Sequence, residues 1–172
     1  MVKERRGNIS RRGVESRVVE SCGALIYCVK TKRYLFLLRD QDRHSGYWGL
    51  VGGKVEDCES VAEGLRREIR EEIGSINYDK IIPIEKFTSD NERFYFHTFL
   101  IPVSDEFVPT LNKEHRGYCW VELKDHPRPL HPGVWRSFKF DSVIKKISAM
   151  EQVLSDVGLD NEIAHRDHTQ IQ

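Results

Sequence analysis

Residues 53–75, GKVEDCESVAEGLRREIREEIGS, constrain the fold more than any other part of the chain. Apolar side chains recur every fourth residue over residues 61–73, which predicts an amphipathic α-helix with one buried face. Glu68 lies three residues before Glu71 and four before Glu72, so a helix would bring the three carboxylates together. Like charges at these spacings destabilise a helix unless something neutralises them, and Mg²⁺ takes carboxylate oxygens as ligands. The stretch therefore predicts either a metal-binding helix or an exposed helix with ordinary ion pairs.

Apolar runs rich in β-branched and aromatic residues lie on both sides of this helix. A final apolar series at helical spacing, over residues 140–157, predicts a C-terminal helix that ends at Gly158. Strands, a helix, more strands and a last helix together predict a layered α/β domain. The predicted strands cover residues 18–30, 34–39, 48–51, 81–87, 93–103 and 117–123.

The length of 172 residues predicts one domain, which we expect over residues 18–160. Residues 1–17 hold six basic and two acidic residues, and we expect a flexible N-terminal arm there, with a phosphate-binding arm as the alternative. Residues 161–172 are polar and predict a C-terminal tail.

The overall composition argues against several classes of partner. Lys and Arg together number 27, as do Asp and Glu, so the charge gives no support for a nucleic-acid partner. The sequence contains no apolar run long enough to span a membrane, and the N-terminus lacks the apolar segment of a secretory signal. The four cysteines show no CxxC pair or zinc-ligand spacing, so we expect reduced thiols in a cytoplasmic protein.

The stretch from residue 53 to residue 75 also resembles the signature of the Nudix hydrolase family, G-x5-E-x7-R-E-U-x-E-E-x-G-U, in which U is a bulky aliphatic residue. Only Ser75 departs, because it stands where an aliphatic residue is usual, and this change concerns packing at the helix end. The matching residues are Gly53, Glu59, Arg67, Glu68, Ile69, Glu71, Glu72 and Gly74.

This resemblance implies an α/β/α sandwich, in which helices cover a mixed sheet, and a Mg²⁺ or Mn²⁺ cofactor. It implies metal ligands at Glu68, Glu71 and Glu72, together with the backbone carbonyl of Gly53. Arg67 would orient the neighbouring glutamates through hydrogen bonds, without binding the metal itself.

A second stretch, LNKEHRGYCWVELKD over residues 111–125, resembles the EHxxYxW segment of Nudix diadenosine polyphosphate hydrolases. Glu114, His115, Tyr118 and Trp120 carry the match, and Cys119 replaces a common arginine. The resemblance implies that Glu114 binds metal or acts as the base. An exposed loop acid is the alternative for Glu114. We expect His115 to contact substrate or solvent, and Trp120 to lie in the core.

The residue that deprotonates or orients the attacking water is left open between Glu71 and Glu114. Arg39 ends an apolar strand and could grip a phosphate, although a surface charge at a strand end is equally consistent. Tyr47 and Tyr95 are candidates for stacking on a nucleobase.

The expected function is divalent-metal-dependent hydrolysis of the pyrophosphate bond in a nucleoside diphosphate linked to another group, such as a dinucleoside polyphosphate or ADP-ribose. Pyrophosphatase activity on nucleoside triphosphates, including oxidised dGTP, is the alternative reaction. A nucleotide sensor without catalysis is a further alternative, which the intact glutamates disfavour. A small-molecule nucleotide is the expected partner, and the sequence leaves the oligomeric state open.

Overall fold

The computed structural model describes residues 17–41 and 43–169, and it describes side chains as far as residue 156. The N-terminal arm predicted over residues 1–17 therefore lies, apart from its last residue, outside the described part. The strands are β1 (Val19–Cys28), β2 (Arg33–Arg39), β3 (Trp48–Gly49), β4 (Ile82–Thr88), β5 (Phe94–Val103) and β6 (His115–Val121). The α-helices are α1 (Val61–Ile73), α2 (Pro132–Ser137) and α3 (Asp141–Thr169), and a short 3-10 turn covers Leu123–Asp125.

These strands form one mixed sheet in the order β3-β2-β1-β5-β4, with β6 also paired to β2. β1 runs parallel to β5 along its whole length, from Val19 opposite Phe94 to Cys28 opposite Val103. β2 pairs antiparallel with β1, β3 and β6, and β4 pairs antiparallel with β5. The long β1–β5 pair therefore forms the rigid middle of the domain.

Alternating side chains of β1 supply two separate cores, because successive residues of a strand point to opposite faces of a sheet. On one face Ala24 and Ile26 pack with Leu65 and Ile69 of α1. On the other face the side chains of β1 pack with those of α3; the members of this second core include Leu25, Tyr27, Val143, Ile147 and Leu154. The sheet thus lies between helices, which confirms the predicted α/β/α sandwich. Burial of each large apolar side chain contributes about 1.5–3 kcal/mol to its stability.

Three local predictions differ from the structure. The C-terminal helix does not end at Gly158 but runs on to Thr169. A single glycine inside a helix costs only about 1 kcal/mol, which the helix-forming residues around it offset. The third predicted strand is shorter, since regular pairing stops at Gly49 and only an isolated bridge joins Val51 to Ala24.

The third difference is α2, because neither of the two predicted helices covers Pro132–Ser137. Pro132 begins this helix, where a missing backbone N–H costs nothing, and the Nδ1 atom of His131 accepts a hydrogen bond from the Gly133 N–H over 3.2 Å. The residue that caps this helix is therefore a histidine, whereas Ser, Thr, Asp and Asn are the usual N-terminal caps, so the sequence did not mark the start of the helix.

The predictions for the cysteines and for Trp120 agree with the structure. The four cysteines are free, as predicted from their spacing. Trp120 packs against the core beneath α1, and its Nε1–H donates to the carbonyl oxygen of Phe107 over 3.0 Å. Within residues 17–41 and 43–169, no helix is long and apolar enough to cross a membrane.

Candidate active site

Helix α1 is fixed at both ends by local chemistry. Ser60 caps its N-terminus, because the Ser60 hydroxyl accepts from the Glu63 N–H over 3.3 Å and the Glu63 carboxylate accepts from the Ser60 N–H over 2.7 Å. Gly74 ends the helix with a positive φ of 85°, a conformation that glycine adopts without steric cost. These two ends set the register in which the helix presents its glutamates.

The loop before α1 brings two glycines against the sheet and the helix. Gly52 has a φ of 145°, and a Cβ atom there would collide with the carbonyl oxygen of Cys22. The Gly52 N–H donates to Oε2 of Glu72 over 2.7 Å. A Cβ atom on Gly53 would lie 2.5 Å from Oε1 of Glu68, so only glycine lets the backbone approach this carboxylate so closely.

The carbonyl oxygen of Gly53 accepts a hydrogen bond from the Cys22 N–H over 2.9 Å. A carbonyl oxygen has two lone pairs, so this bond leaves one acceptor position for a further ligand.

A cleft of about 660 Å³ opens beside this loop. It brings together six of the residues singled out from the sequence: Arg39, Gly53, Arg67, Glu68, Glu71 and Glu114. It also includes residues that were not singled out, namely Arg17, Gly52, Lys54, Val55, Glu56 and Asp57. The position of Lys54 directly after Gly52 and Gly53 could have indicated its place in the cleft, because a residue next to a backbone segment that approaches a ligand also lies near that ligand.

Arg67 organises the acidic side of the cleft. Its guanidinium donates to Oε1 of Glu68 over 2.9 Å and to Oε2 of Glu71 over 3.2 Å. It also donates to both oxygens of Glu59 and to the carbonyl oxygen of Lys54. The nearby carboxylates, Glu59 first, raise the pKa of Arg67 far above its ordinary value, so the guanidinium stays charged.

Glu72 lies behind the cleft rather than in its wall. Its side chain is 2% exposed, and its Oε1 lies 3.8 Å from Nε2 of His115. Burial raises the pKa of Glu72 to about 8, against the opposing hydrogen bond from Gly52, and the nearby Glu68 carboxylate adds to the rise. Burial also raises the pKa of Glu68.

His115, expected at the substrate, has a fully buried side chain beneath Glu72. Burial, helped by the charge of Arg39, lowers the pKa of His115 to about 4. Its Nδ1 atom lies 3.4 Å from Oδ1 of Asn112. The imidazole therefore packs between two polar groups of the interior and does not line the cleft.

Glu114, the residue before His115, faces the cleft from a loop that the backbone holds firmly. Oδ1 of Asn112 accepts from the Glu114 N–H over 3.0 Å, and the Glu114 carbonyl oxygen accepts from the Asp40 N–H over 2.7 Å. The loop is thus tied both to itself and to the end of β2.

The three other predicted substrate residues lie in different places. Arg39 lines the cleft, and its buried Nε has no hydrogen-bond partner among the described residues. Tyr47 packs against the ring of His44, with 5.6 Å between ring centroids, outside the cleft wall. Tyr95, on β5, does not line the cleft, and the centroid of its ring lies 4.7 Å from Nζ of Lys86.

The donor set suits a hard divalent cation, because carboxylate and carbonyl oxygens are the ligands that Mg²⁺ and Mn²⁺ prefer. In the described part of the chain, no three His, Cys, Asp or Glu side chains already converge on one point. Arg67 and the Gly52 N–H instead hold the carboxylates, and Glu71 and Glu114 add to the raised pKa of Glu68. A cation would relieve this excess of negative charge.

A three-layer α/β fold with clustered carboxylates beside a glycine loop and cationic side chains defines a class of enzyme that acts on phosphate compounds. The comparisons with known proteins narrow this class. The family model of the NUDIX domain matches residues 20–141, and the chain belongs to the Nudix family.

Two curated or solved relatives illustrate the likeness. Nucleoside triphosphatase NudI of Klebsiella pneumoniae is 33% identical over 97 residues, which cover 50% of this chain and 69% of the relative. The crystal structure of MutT protein from Methanosarcina mazei is 27% identical, with a TM-score of 0.57 over 79% of this chain and 97% of that one.

A third comparison concerns the fold alone. The NUDIX domain of Shewanella oneidensis NrtR complexed with ADP ribose is 16% identical, with a TM-score of 0.59 over 85% of this chain and 94% of that domain.

The chain is accordingly a Nudix hydrolase that acts on nucleoside diphosphate derivatives, and enzymes of this family generally use divalent metal ions.

Proposed function

We propose that the cleft hydrolyses a pyrophosphate bond with Mg²⁺ or Mn²⁺ as its cofactor. One observation carries the proposal: Glu68, Glu71 and Glu114 line the same cleft as Arg39 and Lys54. The carboxylates offer oxygen ligands to a divalent cation, while the two cationic side chains match the oxygens of a polyphosphate. A polyphosphate that is bound to a divalent cation would contact both sets of side chains.

The residues that would hold the metal from the cleft wall are Glu68, Glu71 and the carbonyl oxygen of Gly53, with Glu72 behind them as the fourth. When bound, a divalent metal neutralises charge on the pyrophosphate and lowers the pKa of a water molecule. The chain's own part is to hold these oxygens in place. Arg67 does so for Glu68 and Glu71, and the Gly52 N–H does so for Glu72.

Glu114 is our candidate for the general base. One oxygen of Glu71 is engaged by Arg67, whereas no hydrogen bond or ion pair joins the Glu114 carboxylate to another described residue. A carboxylate without such a partner has both oxygens available to orient a water molecule. Glu71 then acts as a metal ligand rather than as the base.

Nucleoside triphosphates are the substrate class that we favour. Nucleoside triphosphatase NudI of Klebsiella pneumoniae is similar to this chain over 69% of its own length. Arg39 and Lys54 both line the cleft, and their positive charges suit the several phosphate groups of a triphosphate.

A nucleoside diphosphate linked to another group, such as a dinucleoside polyphosphate or ADP-ribose, is the second candidate. The EHxxYxW resemblance favours it, and Glu114 of that segment lines the cleft. Its histidine, however, is buried, so the segment contributes less to substrate contact than the resemblance implies.

A hydrolysis panel with product identification by mass tests the proposal. The purified chain is incubated with nucleoside triphosphates, ADP-ribose and a dinucleoside polyphosphate in Mg²⁺ or Mn²⁺. We expect a nucleoside monophosphate among the products, and triphosphates should react with the highest kcat/KM. Release of a single phosphate, with the nucleoside diphosphate left intact, would contradict the proposed bond.

A separate binding experiment tests the metal site without relying on catalysis. Mn²⁺ should raise the melting temperature of the wild type, since a ligand that binds only the folded state stabilises it. Glu68→Gln should lose most of this shift, whereas Glu122→Gln, at an exposed site outside the cleft, should keep it. Equal shifts in both variants would rule out Glu68 as a ligand.

A further inference from the structure

A second cavity of about 730 Å³ lies apart from the catalytic cleft, and none of its described lining residues lines that cleft. Its volume falls in the range of about 300–1,000 Å³ that is usual for small-molecule sites. We name it the tryptophan groove after its most exposed aromatic residue. Its principal residues are His126, Arg128, Leu130, Trp135, Phe138 and Lys139.

The groove presents aromatic surface that the fold leaves half exposed. Trp135 is 51% exposed, although its indole is one of the largest apolar surfaces a side chain can offer. Phe138 lies at the groove's inner side, where it packs with the ring of His126 at 5.9 Å between centroids. Flat rings beside open space offer a stacking surface to a planar ligand.

The groove is also positively charged. Arg128 and Lys139 line it, and none of the described lining residues is acidic. Nζ of Lys139 lies 3.5 Å from the centroid of the Trp135 ring. No hydrogen bond or ion pair joins the Arg128 guanidinium to another described residue, so its five N–H donors remain available to an anion.

We propose that the tryptophan groove is a second nucleotide-binding site, which takes a nucleoside monophosphate. Trp135 would stack on the base and Arg128 would bind the phosphate through paired hydrogen bonds, because a guanidinium matches phosphate geometry. A planar ring that carries a phosphate could contact the indole of Trp135 and the guanidinium of Arg128 at the same time. Nucleotides are molecules of this chemistry that a Nudix hydrolase meets, and the proposal does not depend on the roles given above to the catalytic glutamates.

The groove also has a direct connection to the region of the active site. Pro129 accepts a hydrogen bond through its carbonyl oxygen from the Trp48 N–H over 2.8 Å, and Leu130 forms a bridge with Trp48. Trp48 begins β3, which leads into the loop of Gly52 and Gly53. A ligand in the groove would therefore touch the segment that supports this loop.

Calorimetric titration with adenosine monophosphate tests the proposal. Chelator is present throughout, so that metal-dependent binding in the cleft is suppressed. The wild type should bind one equivalent, and Arg128→Ala and Trp135→Ala should each raise the Kd at least about tenfold. Lys145→Ala, which removes one positive charge from an exposed site on α3, should leave the Kd unchanged.

Two ligand controls and one protein control complete the experiment. Adenosine and inorganic phosphate should each bind much more weakly than the monophosphate, since each lacks one of the two features. Arg128 and Trp135 are exposed, so circular dichroism should report the wild-type fold for both variants. Trp135→Phe keeps an aromatic ring and should restore part of the affinity.

Three outcomes would overturn the proposal. The first is the absence of saturable binding to the wild type. The second is equal affinity for adenosine and its monophosphate, which would remove the role of the phosphate. The third is binding that survives both Arg128→Ala and Trp135→Ala, and its loss in Arg39→Ala would then assign the nucleotide to the catalytic cleft.

Discussion

Arg67 holds both carboxylate oxygens of Glu59, eight residues earlier in the chain. Its Nε donates to Oε2 over 3.2 Å and its Nη2 donates to Oε1 over 2.8 Å. The same guanidinium contacts Glu68 and Glu71, so one arginine joins the start of α1 to the carboxylates of its last two turns. Glu59 thus fixes the plane of the guanidinium, and the guanidinium fixes the two cleft carboxylates.

Arg67→Lys should lower kcat by about 10-fold to 100-fold, because an ammonium group cannot reproduce the planar fork that holds several carboxylates. The effect should include weaker apparent Mg²⁺ binding, measured from the rate as a function of metal concentration. Arg66→Lys is the matched control, since Arg66 is exposed and its guanidinium donates to the carbonyl oxygen of Ala62 over 3.4 Å, away from Glu68 and Glu71. Similar kinetics for the two variants would show that the fork has no part in the site.

Gly53→Ala should lower activity at least about tenfold while the fold persists. The new Cβ would lie 2.5 Å from Oε1 of Glu68, and the flexible side chain of Glu68 would move away to accommodate it. Gly117→Ala, where the nearest atoms of Leu38 are 3.7 Å away, is the control that should remain active. Kinetics and melting temperature are measured together. Full activity of Gly53→Ala would mean that the position of Glu68 is unimportant.

The metal-free protein should lose stability as the pH rises from about 6.5 to 8. A glutamate has an ordinary pKa of 4.5, whereas the pKa of buried Glu72 is about 8, so in this range the folded state keeps a proton that the unfolded state has released. The loss should amount to about 1–2 kcal/mol. Two histidines act in the opposite sense: the pKa values of His115 and His131 are lowered to about 4 from 6.5, so their effect is largest below pH 6.5 and fades across this window.

Glu72→Gln isolates this contribution, because an amide does not titrate and its oxygen can still accept from the Gly52 N–H. Unfolding by urea in chelator, followed at several pH values, should give a flatter pH dependence for Glu72→Gln than for the wild type. Parallel curves for the two proteins would remove Glu72 as the source of the dependence.

Glu114→Gln should lower kcat by about 10²-fold or more, as loss of a general base usually does, with little change in melting temperature. Its carboxylate makes no hydrogen bond with the described residues, so folding has little to lose at this site. Values of kcat/KM are compared across nucleoside triphosphates, ADP-ribose and a dinucleoside polyphosphate. Unchanged kcat/KM for every substrate would transfer the role of base to Glu71.

Helix α1 and most of the strands could be predicted from the sequence because local patterns determine them, whereas the sheet with helices on both faces was implied by the family resemblance. The apolar spacing over residues 61–73 marks α1, which spans Val61–Ile73. The central β1–β5 pair could not be predicted, since it joins Val19 to Phe94 across most of the domain and neither strand carries a signal for its partner.

The buried position of His115 shows a similar limit within the site. The register between β2 and β6 shifts at Leu38 and Arg39, and the shifted pairing sets Arg39 opposite His115. A shift by one residue sends a side chain to the other face of a sheet, so a linear motif cannot tell which residue points into the cleft. The buried position of His115 therefore emerges only from the pairing.

The rate of nucleotide hydrolysis with and without free divalent metal is the most direct test of the carboxylate cleft. The wild type should lose its activity in chelator and recover it when Mg²⁺ or Mn²⁺ is added in excess. Glu68→Gln, assayed in the same series, should remain at least about 100-fold slower at every metal concentration. Full activity of the wild type in chelator, or of Glu68→Gln in Mg²⁺, would contradict a mechanism in which these carboxylates hold the metal.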